Sequence, residues 1–170
     1  MYARHVPELQ RLRSDHADAV LAFELENRAF FAISISDRGD AFFEEFPARH
    51  RELLAEQQTG ACFAHVLVDD DGTVLGRFNL VTLEDGTAAV GYRVAERVAG
   101  HGVATKTLRE LCQLAANEYA LRTLIAETSY ENLASQRVLA KAGFVPIGPA
   151  EVAGRPGIRY ELDVSPGYSY

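Results

Sequence analysis

The feature that most constrains the fold is a change of sequence period near residue 100. Before it, three strand-like runs are separated by the turn sequences DDDG and EDG. The runs are CFAHVLVD (62–69), VLGRFNLVTLE (74–84) and TAAVGYRV (87–94). After it, apolar residues recur at helical spacing, at Ala104, Leu108, Leu111, Ala115 and Tyr119. The pattern predicts three consecutive antiparallel strands that lead directly into a long helix.

The flanking segments predict further elements of both kinds. They are a strand at 9–13, a helix capped by Ser14 or Asp15, a helix at 41–58, a strand at 123–129, a helix at 132–143 and a hairpin of 144–152 with 157–164. The order β-α-α-β-β-β-α-β-α-β-β is typical of an α+β fold, with a central mixed, mostly antiparallel sheet flanked by helices. A chain of 170 residues fits one domain, covering residues 1–170.

Charge and composition argue against several classes of function. A formal net charge of −7 is unfavourable for a nucleic-acid surface. No apolar run approaches the ~18 residues of a membrane span, and the first residues lack the apolar core of a secretory signal, so we expect a cytoplasmic protein. Cys62 and Cys112 belong to no CxxC pair and HExxH does not occur, so we expect no metal site.

The stretch RVAGHGVAT (97–105) places a glycine on each side of His101, where the strands give way to the helix. Backbone N–H groups at a helix start favour an anion, and glycines let phosphate oxygens approach that backbone. The alternative is that Gly100 merely ends a turn. A dinucleotide-binding fingerprint would have a third glycine where Thr105 stands, and the Gly-Lys-Ser/Thr ending of a P-loop is absent.

Three sequence segments resemble a known enzyme family. Arg97-x-x-Gly100-x-Gly102 fits the Q/R-x-x-G-x-G/A acetyl-CoA motif of the GNAT N-acetyltransferases. The segment ENLASQRVLAKAGF (131–144) resembles the N-x-x-S…K-x-GF segment of their RimJ/RimL-like branch, and ELENRAFF (24–31) is similar to the same branch near its N-terminus. The resemblance extends from about residue 8 to residue 164, and the predicted element order matches.

The resemblance implies a binding site for acetyl-CoA as co-substrate, without a metal. The loop from Arg97 to Ala104 would hold the pyrophosphate through backbone N–H groups, and Tyr92 and Val94 would follow the pantetheine along a splayed strand. Asn132 has two interpretations, as the N-cap of its helix and as a CoA contact. The implied cofactor-binding residues are Tyr92, Val94, Arg97, Val98, Gly100, His101, Gly102, Val103, Ala104, Asn132 and Ser135.

The resemblance also implies two catalytic residues. Glu127 is the candidate base that takes a proton from the attacking amine, with Glu84 as a weaker rival. Ser135 is the candidate proton donor to the leaving thiolate, because Leu139 occupies the position where many members have a tyrosine. The structural alternative is that Glu127 is a solvated strand residue and that Ser135 is a helix-surface hydroxyl or a simple CoA contact.

The implied function is transfer of an acetyl group to a primary amine, with a small molecule or the α-amine of a protein N-terminus as acceptor. A homodimer is left open, and neither a nucleic acid nor a membrane is expected as partner. One alternative is a regulatory GNAT-fold protein that binds acyl-CoA without catalysis. Another is a nucleotide-binding oxidoreductase, which the missing third glycine and the missing N-terminal βαβ unit disfavour.

Overall fold

The computed structural model describes residues 6–170, which form seven strands and six helices. The strands are β1 (Glu8–Arg11), β2 (Cys62–Val68), β3 (Val74–Glu84), β4 (Thr87–Val94), β5 (Thr123–Ser129), β6 (Val145–Val152) and β7 (Arg155–Asp163). The helices are α1 (Ala17–Glu26), α2 (Arg28–Ser34), α3 (Asp40–Glu44), α4 (Phe46–Thr59), α5 (Val103–Asn117) and α6 (Leu133–Lys141). Short 3₁₀ turns lie at Ser14–His16 and Glu96–Val98.

The strands form a seven-stranded mixed sheet in the order β1-β2-β3-β4-β5-β7-β6. β1 runs antiparallel to β2, and β7 runs antiparallel to both β5 and β6. β4 and β5 are parallel, because the long helix α5 carries the chain back between them. This architecture confirms the predicted α+β fold with a mixed sheet.

Each of the two predicted N-terminal helices is divided in two by a local interruption. Between α1 and α2, the Asn27 side chain donates to the Phe23 carbonyl (2.9 Å) and accepts from the Glu96 N–H (3.0 Å). Pro47 lies in the first turn of α4, where the missing N–H is tolerated, so α4 begins as a new helix after Glu45. Sequence period did not reveal these breaks.

The start of α1 also differs from the prediction. The N-cap of α1 is His16, so the prediction that Ser14 or Asp15 caps this helix is wrong. Both residues lie instead in the preceding 3₁₀ turn. There the Arg13 N–H donates to Nδ1 of His16 (2.9 Å), which closes the 3₁₀ turn, and no side chain caps α1 itself.

The chain divides into two compact units. The N-terminal unit comprises the described residues up to Asn79 together with Tyr92–Val98, and the C-terminal unit comprises Leu80–Gly91 and Ala99–Tyr170. Aromatic side chains dominate the N-terminal core, which includes Phe23, Phe31, Phe42 and Phe46. The C-terminal core is mainly aliphatic and includes Leu108, Leu111, Leu124, Leu139 and Val164. That residues 1–170 form one functional domain stays a prediction.

Two further features bear on the predictions. Within residues 6–170, no helix has the length and apolar character that a membrane-spanning helix needs. β6 lies at the edge of the sheet and contains Pro146 and Pro149, which are tolerated there because an edge strand does not need every N–H for pairing.

Candidate active site

Strands β4 and β5 are paired over only part of their lengths. The parallel register joins Thr87–Ala89 to Thr123–Ile125, although β4 continues to Val94 and β5 to Ser129. Within the C-terminal unit, Val90 and Gly91 therefore extend beyond the paired register. Strand backbone released from a neighbour in this way is suited to bind the amide groups of an extended ligand.

The side chains of Tyr92 and Val94 pack within the N-terminal unit. The Tyr92 ring is stacked on Phe78, with the ring centroids 5.8 Å apart and the planes at 10°. A Cβ built on Gly76 would lie 3.3 Å from Cγ1 of Val94, so the two strands approach closely here. The side chains contribute to packing, and the backbone is what this part of β4 offers to a ligand.

Beyond β4, the predicted phosphate loop continues through exposed residues to the start of α5. Arg97 is exposed and Val98 is half-buried against the N-terminal core, in a turn closed by the Val98 N–H and the Ala95 carbonyl (3.1 Å). His101 is also exposed. No described contact gives the His101 side chain a function.

Gly100 and Gly102 both adopt the left-handed conformation that disfavours other residues, with φ of 78° and 77°. A Cβ built at either position would meet no atom within 4 Å. Backbone conformation, and not crowding, therefore explains the glycines. The loop presents open backbone, as contact with a diphosphate requires.

Helix α5 begins at Val103 with Gly102 as its N-cap, and no side chain caps it. The Lys106 N–H donates to the Gly102 carbonyl (3.1 Å). By helix geometry, the N–H groups of Val103, Ala104 and Thr105 precede the first i to i−4 acceptor. A glycine loop followed by uncapped donors fits the pyrophosphate of CoA.

Asn132 caps α6, as one of its two interpretations predicted. Its side-chain oxygen accepts from the Ser135 N–H (3.2 Å), and its carbonyl accepts from the Gln136 N–H (3.2 Å). Gln136 in turn donates to the carbonyls of Ser129 and Tyr130, at 3.1 and 3.0 Å. These bonds hold Ser135, which is half-buried, in the first turn of α6 directly after β5.

Glu127 is the exposed residue of β5, where the other side chains are buried or half-buried. It is paired in register with Arg159 of β7, and Oε1 lies 3.8 Å from Nη1 of that arginine. Two residues further along, Gly157 lies opposite Ser129, where a Cβ would overlap the Thr128 carbonyl oxygen. This close approach fixes the register that holds Glu127. The rival carboxylate, Glu84, is exposed at the end of β3.

A sequence model of the acetyltransferase (GNAT) domain family matches residues 8–145. The chain belongs to the GNAT acetyltransferase family. A probable N-acetyltransferase of Bacillus subtilis, YjcK, is 30% identical over 135 residues, which cover 75% of this chain and 74% of that protein.

Solved structures share the fold of this acetyltransferase. A ribosomal-protein-S5-alanine acetyltransferase from Vibrio fischeri has a TM-score of 0.87 at 21% identity and covers 95% of each chain. RimJ of Mycobacterium smegmatis, in complex with CoA disulfide, has a TM-score of 0.82 at 22% identity over 94% of this chain and 82% of that one. The fold is thus shared with RimJ and with a ribosomal-protein acetyltransferase, and assignment to the RimJ/RimL-like branch within the family stays a prediction.

Membership of the family makes the protein an acyl-CoA-dependent N-acetyltransferase, as predicted. Acetyl-CoA as its co-substrate follows from membership of this acetyltransferase family, as predicted. The individual binding and catalytic residues stay predictions.

Sequence reasoning gave no function to one group of charged residues in this acetyltransferase, the arginine cluster, which consists of Glu24, Arg38, Arg77 and Arg93. Glu24 is 1% exposed. Its carboxylate lies 2.9 Å from Nη1 of Arg77, 3.3 Å from Nη1 of Arg93 and 3.8 Å from Nε of Arg38. The available signal was the spacing of Val20, Phe23, Glu24 and Asn27, which places a carboxylate and an amide on the buried face of α1.

Proposed function

We propose that the enzyme transfers the acetyl group of acetyl-CoA to a primary amine, and that protein N-terminal α-amines are acceptors. The α5 N-terminus with its two left-handed glycines is the observation that supports acetyl-CoA binding most directly. The N-terminal acceptor is supported by the likeness to the Vibrio fischeri enzyme, which is named for acetylating the alanine of ribosomal protein S5. We propose the cytoplasm as its compartment, and a homodimer stays a prediction for light scattering to test.

We assign the pyrophosphate to the backbone N–H groups of the loop and of the first turn of α5. The proposed cofactor residues there are Arg97, Val98, Gly100, His101, Gly102, Val103 and Ala104. Pantetheine then pairs with the backbone of β4 at Tyr92 and Val94, in the part of that strand beyond its register with β5. Asn132 and Ser135 at the start of α6 complete the proposed binding set.

Acetyl-CoA supplies the acetyl group as a thioester, which a neutral amine attacks with release of the CoA thiol. An α-amine with a pKa near 8 is about one-tenth neutral at pH 7, whereas a lysine side chain near 10.4 is neutral in about 0.04% of molecules. Both acceptors benefit from a base, the lysine more strongly. The α-amine is thus the easier acceptor at neutral pH.

Glu127 is the residue that we propose accepts the amine proton, directly or through a water. Its side chain is 40% exposed, so a substrate or a water can reach the carboxylate. Ser135 is the proposed proton donor to the departing sulfur. The Asn132 side chain accepts from the Ser135 N–H and so fixes the Ser135 backbone at the start of α6. Glu84 is the alternative base.

The direct test is release of the CoA thiol from acetyl-CoA, followed with a thiol reagent against a panel of N-terminal peptides and small amines. We expect release with amines and none with the same compounds acetylated beforehand. An enzyme that binds acetyl-CoA but releases no thiol with any amine would support the regulatory alternative. Comparison of peptides that differ only at the N-terminal residue then tests the proposed acceptor.

A further inference from the structure

The arginine cluster contains more positive than negative charge. Three guanidinium groups lie within 4 Å of one carboxylate, that of Glu24. Arg93, Arg77 and Arg49 repel the positive charge of Arg38, and Glu24 attracts it. Glu45 pairs with Arg49 at 3.1 Å. Among residues 6–170, no ion pair joins Arg38, Arg77 or Arg93 to a carboxylate other than Glu24.

The surplus charge is built into the sheet of the N-terminal unit. The Ala95 N–H donates to the Leu75 carbonyl (2.8 Å), and a Cβ built on Gly76 would lie 3.2 Å from the Arg93 carbonyl, so Arg77 and Arg93 lie close together on adjoining strands. Like charges that face each other on neighbouring strands are destabilising. The Glu24 carboxylate contacts both guanidinium groups and offsets their repulsion. The side chains of Arg77 and Arg93 are 9% and 14% exposed. A buried arginine and a half-buried one on a single carboxylate already exceed what a structural ion pair needs.

Arg38 is the accessible member of the cluster. Its side chain is 37% exposed, and its guanidinium lies over the Phe42 ring, 4.7 Å from the centroid. Its Nε is 3.8 Å from Glu24, which is beyond hydrogen-bond distance, and among the described residues no acceptor forms a hydrogen bond with it. Burial and the nearby Arg93 lower the pKa of Arg38 to about 10. Arg38 is still protonated at neutral pH. Because its guanidinium forms no hydrogen bond with a described residue, its donors are available to a further anion.

We propose that the arginine cluster binds an anionic group of the acceptor, so that the preferred substrate is a primary amine that also carries a carboxylate or a similar anion. Arg38 donates to that anion, while Arg77 and Arg93 supply the surrounding positive field. This inference rests on the proposed acetyltransferase function and narrows its substrate class.

The position of Arg93 favours the acceptor over the phosphates of CoA as the anion. Arg93 lies between Tyr92 and Val94, on the part of β4 proposed to follow pantetheine. The proposed pyrophosphate loop comes later in the chain, at residues 97–104. A net positive cluster also disfavours polyamines, because their charges would be repelled.

The experiment compares acceptor pairs that differ only in charge, with acetyl-CoA saturating. One pair is γ-aminobutyrate and γ-aminobutyramide, and the other is the tripeptide amides Ala-Asp-Ala and Ala-Asn-Ala. We expect KM to be lower for the anionic member of a pair by about tenfold or more. The pair with the larger ratio identifies a small molecule or a peptide as the source of the anion.

Arg38→Gln tests the residue itself. We expect this variant to raise KM for the anionic acceptor to that of its neutral twin, with little change in kcat and with unchanged KM for the neutral twin. Arg109→Gln is the matched control, because Arg109 also lies over an aromatic ring, that of Tyr170 at 5.5 Å, and its loss changes the net charge equally. We expect Arg109→Gln to leave the ratio of KM values for the neutral and anionic acceptors unchanged.

Two results would overturn the inference. One is a KM ratio near one for both pairs in an active enzyme. The other is an Arg38→Gln variant that binds CoA more weakly while its ratio is unchanged, which would assign the cluster to a cofactor phosphate. Calorimetric titration of the Ala-Asp-Ala amide onto the CoA-bound protein gives a readout without turnover. Binding of the Ala-Asp-Ala amide that is lost in Arg38→Gln supports the inference even if no amine is acetylated. Failure of the anion site can therefore be distinguished from failure of the proposed acetyltransferase function.

Discussion

At the scale of single residues, Glu127 combines a fixed position with access to solvent. Strand pairing with Arg159 and the close approach of Gly157 hold its backbone, while the carboxylate is 40% exposed. A base must be both held and reachable, so this combination distinguishes Glu127 from the buried carboxylate of Glu24. The ion pair with Arg159 at 3.8 Å contributes little stability at such exposure.

Glu127→Gln keeps the size of the side chain and removes the proton acceptor. We expect turnover near pH 7 to fall by roughly 10²–10⁴-fold, the usual contribution of a positioned base. The loss should shrink as pH rises, because more of the amine is then neutral. Steady-state kinetics across pH, with calorimetry to show unchanged acetyl-CoA binding, are the measurements.

Glu131→Gln is the matched control for this prediction. Glu131 also pairs with an arginine, Arg155 at 3.0 Å, in the same C-terminal unit. We expect this variant to keep full activity. Full activity of Glu127→Gln near pH 7 would show that Glu127 is not the base, and positioning of the two substrates would then have to explain the rate.

The burial of His65 predicts that the folded protein loses stability in acid. It lies in β2 at 2% exposure, and burial lowers its pKa to about 4 despite backbone contacts with Phe78 and Phe63 that raise it. Since an unfolded histidine has a pKa near 6.5, only the unfolded chain binds this proton between pH 6.5 and 4. The free energy of unfolding should therefore fall as pH drops through that window, by roughly 3 kcal/mol when complete.

The test is denaturant unfolding at several pH values with His65→Leu as the comparison. Leucine cannot bind the proton, so the pH dependence should be weaker in this variant. The pKa of His16 is also lowered, mainly by burial, so part of the slope should remain. An identical slope in both proteins would assign the acid sensitivity to other groups.

At the scale of elements, the start of α5 depends on backbone conformation more than on side chains. Gly102 is the N-cap at a φ of 77°, and α5 has no side-chain cap. α6 begins differently, with a side-chain cap from Asn132. At the start of α6 a side chain bonds one backbone N–H group, whereas at the start of α5 none does. α5 therefore leaves more backbone N–H donors for a ligand.

Gly102→Ala tests the phosphate loop. The added Cβ meets no protein atom within 4 Å, so we expect the variant to fold at a cost of about 1–2 kcal/mol for the left-handed conformation. The same Cβ enters the space assigned to the diphosphate, and affinity for CoA should fall by about tenfold or more. Calorimetric titration with CoA measures the change.

Gly72→Ala provides the control for backbone strain. Gly72 has a φ of 86°, has equally open surroundings and lies in the turn between β2 and β3. We expect it to lose similar stability and to bind CoA normally. Normal CoA affinity in a folded Gly102→Ala protein would remove this loop from the cofactor site.

At the scale of the whole molecule, ligand binding should appear as thermal stability. A ligand that binds only the folded state at a hundredfold excess over its Kd stabilises by about 2.7 kcal/mol. For a chain of this size, we expect acetyl-CoA and CoA to raise Tm by roughly 5–10 °C. Differential scanning fluorimetry with NAD as the comparison is the measurement, and a larger shift with NAD would contradict the acetyltransferase assignment.

The sequence by itself determined the features that depend on neighbouring residues. Alternation and helical spacing predicted the strands and α5, and Asn132 was correctly interpreted as a cap, because periodicity and capping are local. The glycine loop was also readable, since its proposed anion site consists of consecutive backbone groups. The motifs that carry the resemblance are contiguous segments for the same reason.

Only the tertiary structure decided which distant residues meet. Asn27 interrupts the first helix through a bond to Glu96, and Glu127 faces Arg159 through the β5–β7 register. The arginine cluster joins α1, the segment before α3 and strands β3 and β4 around one buried carboxylate. Its surplus charge depends on strand register and on which helix face is buried, and no local pattern encodes either.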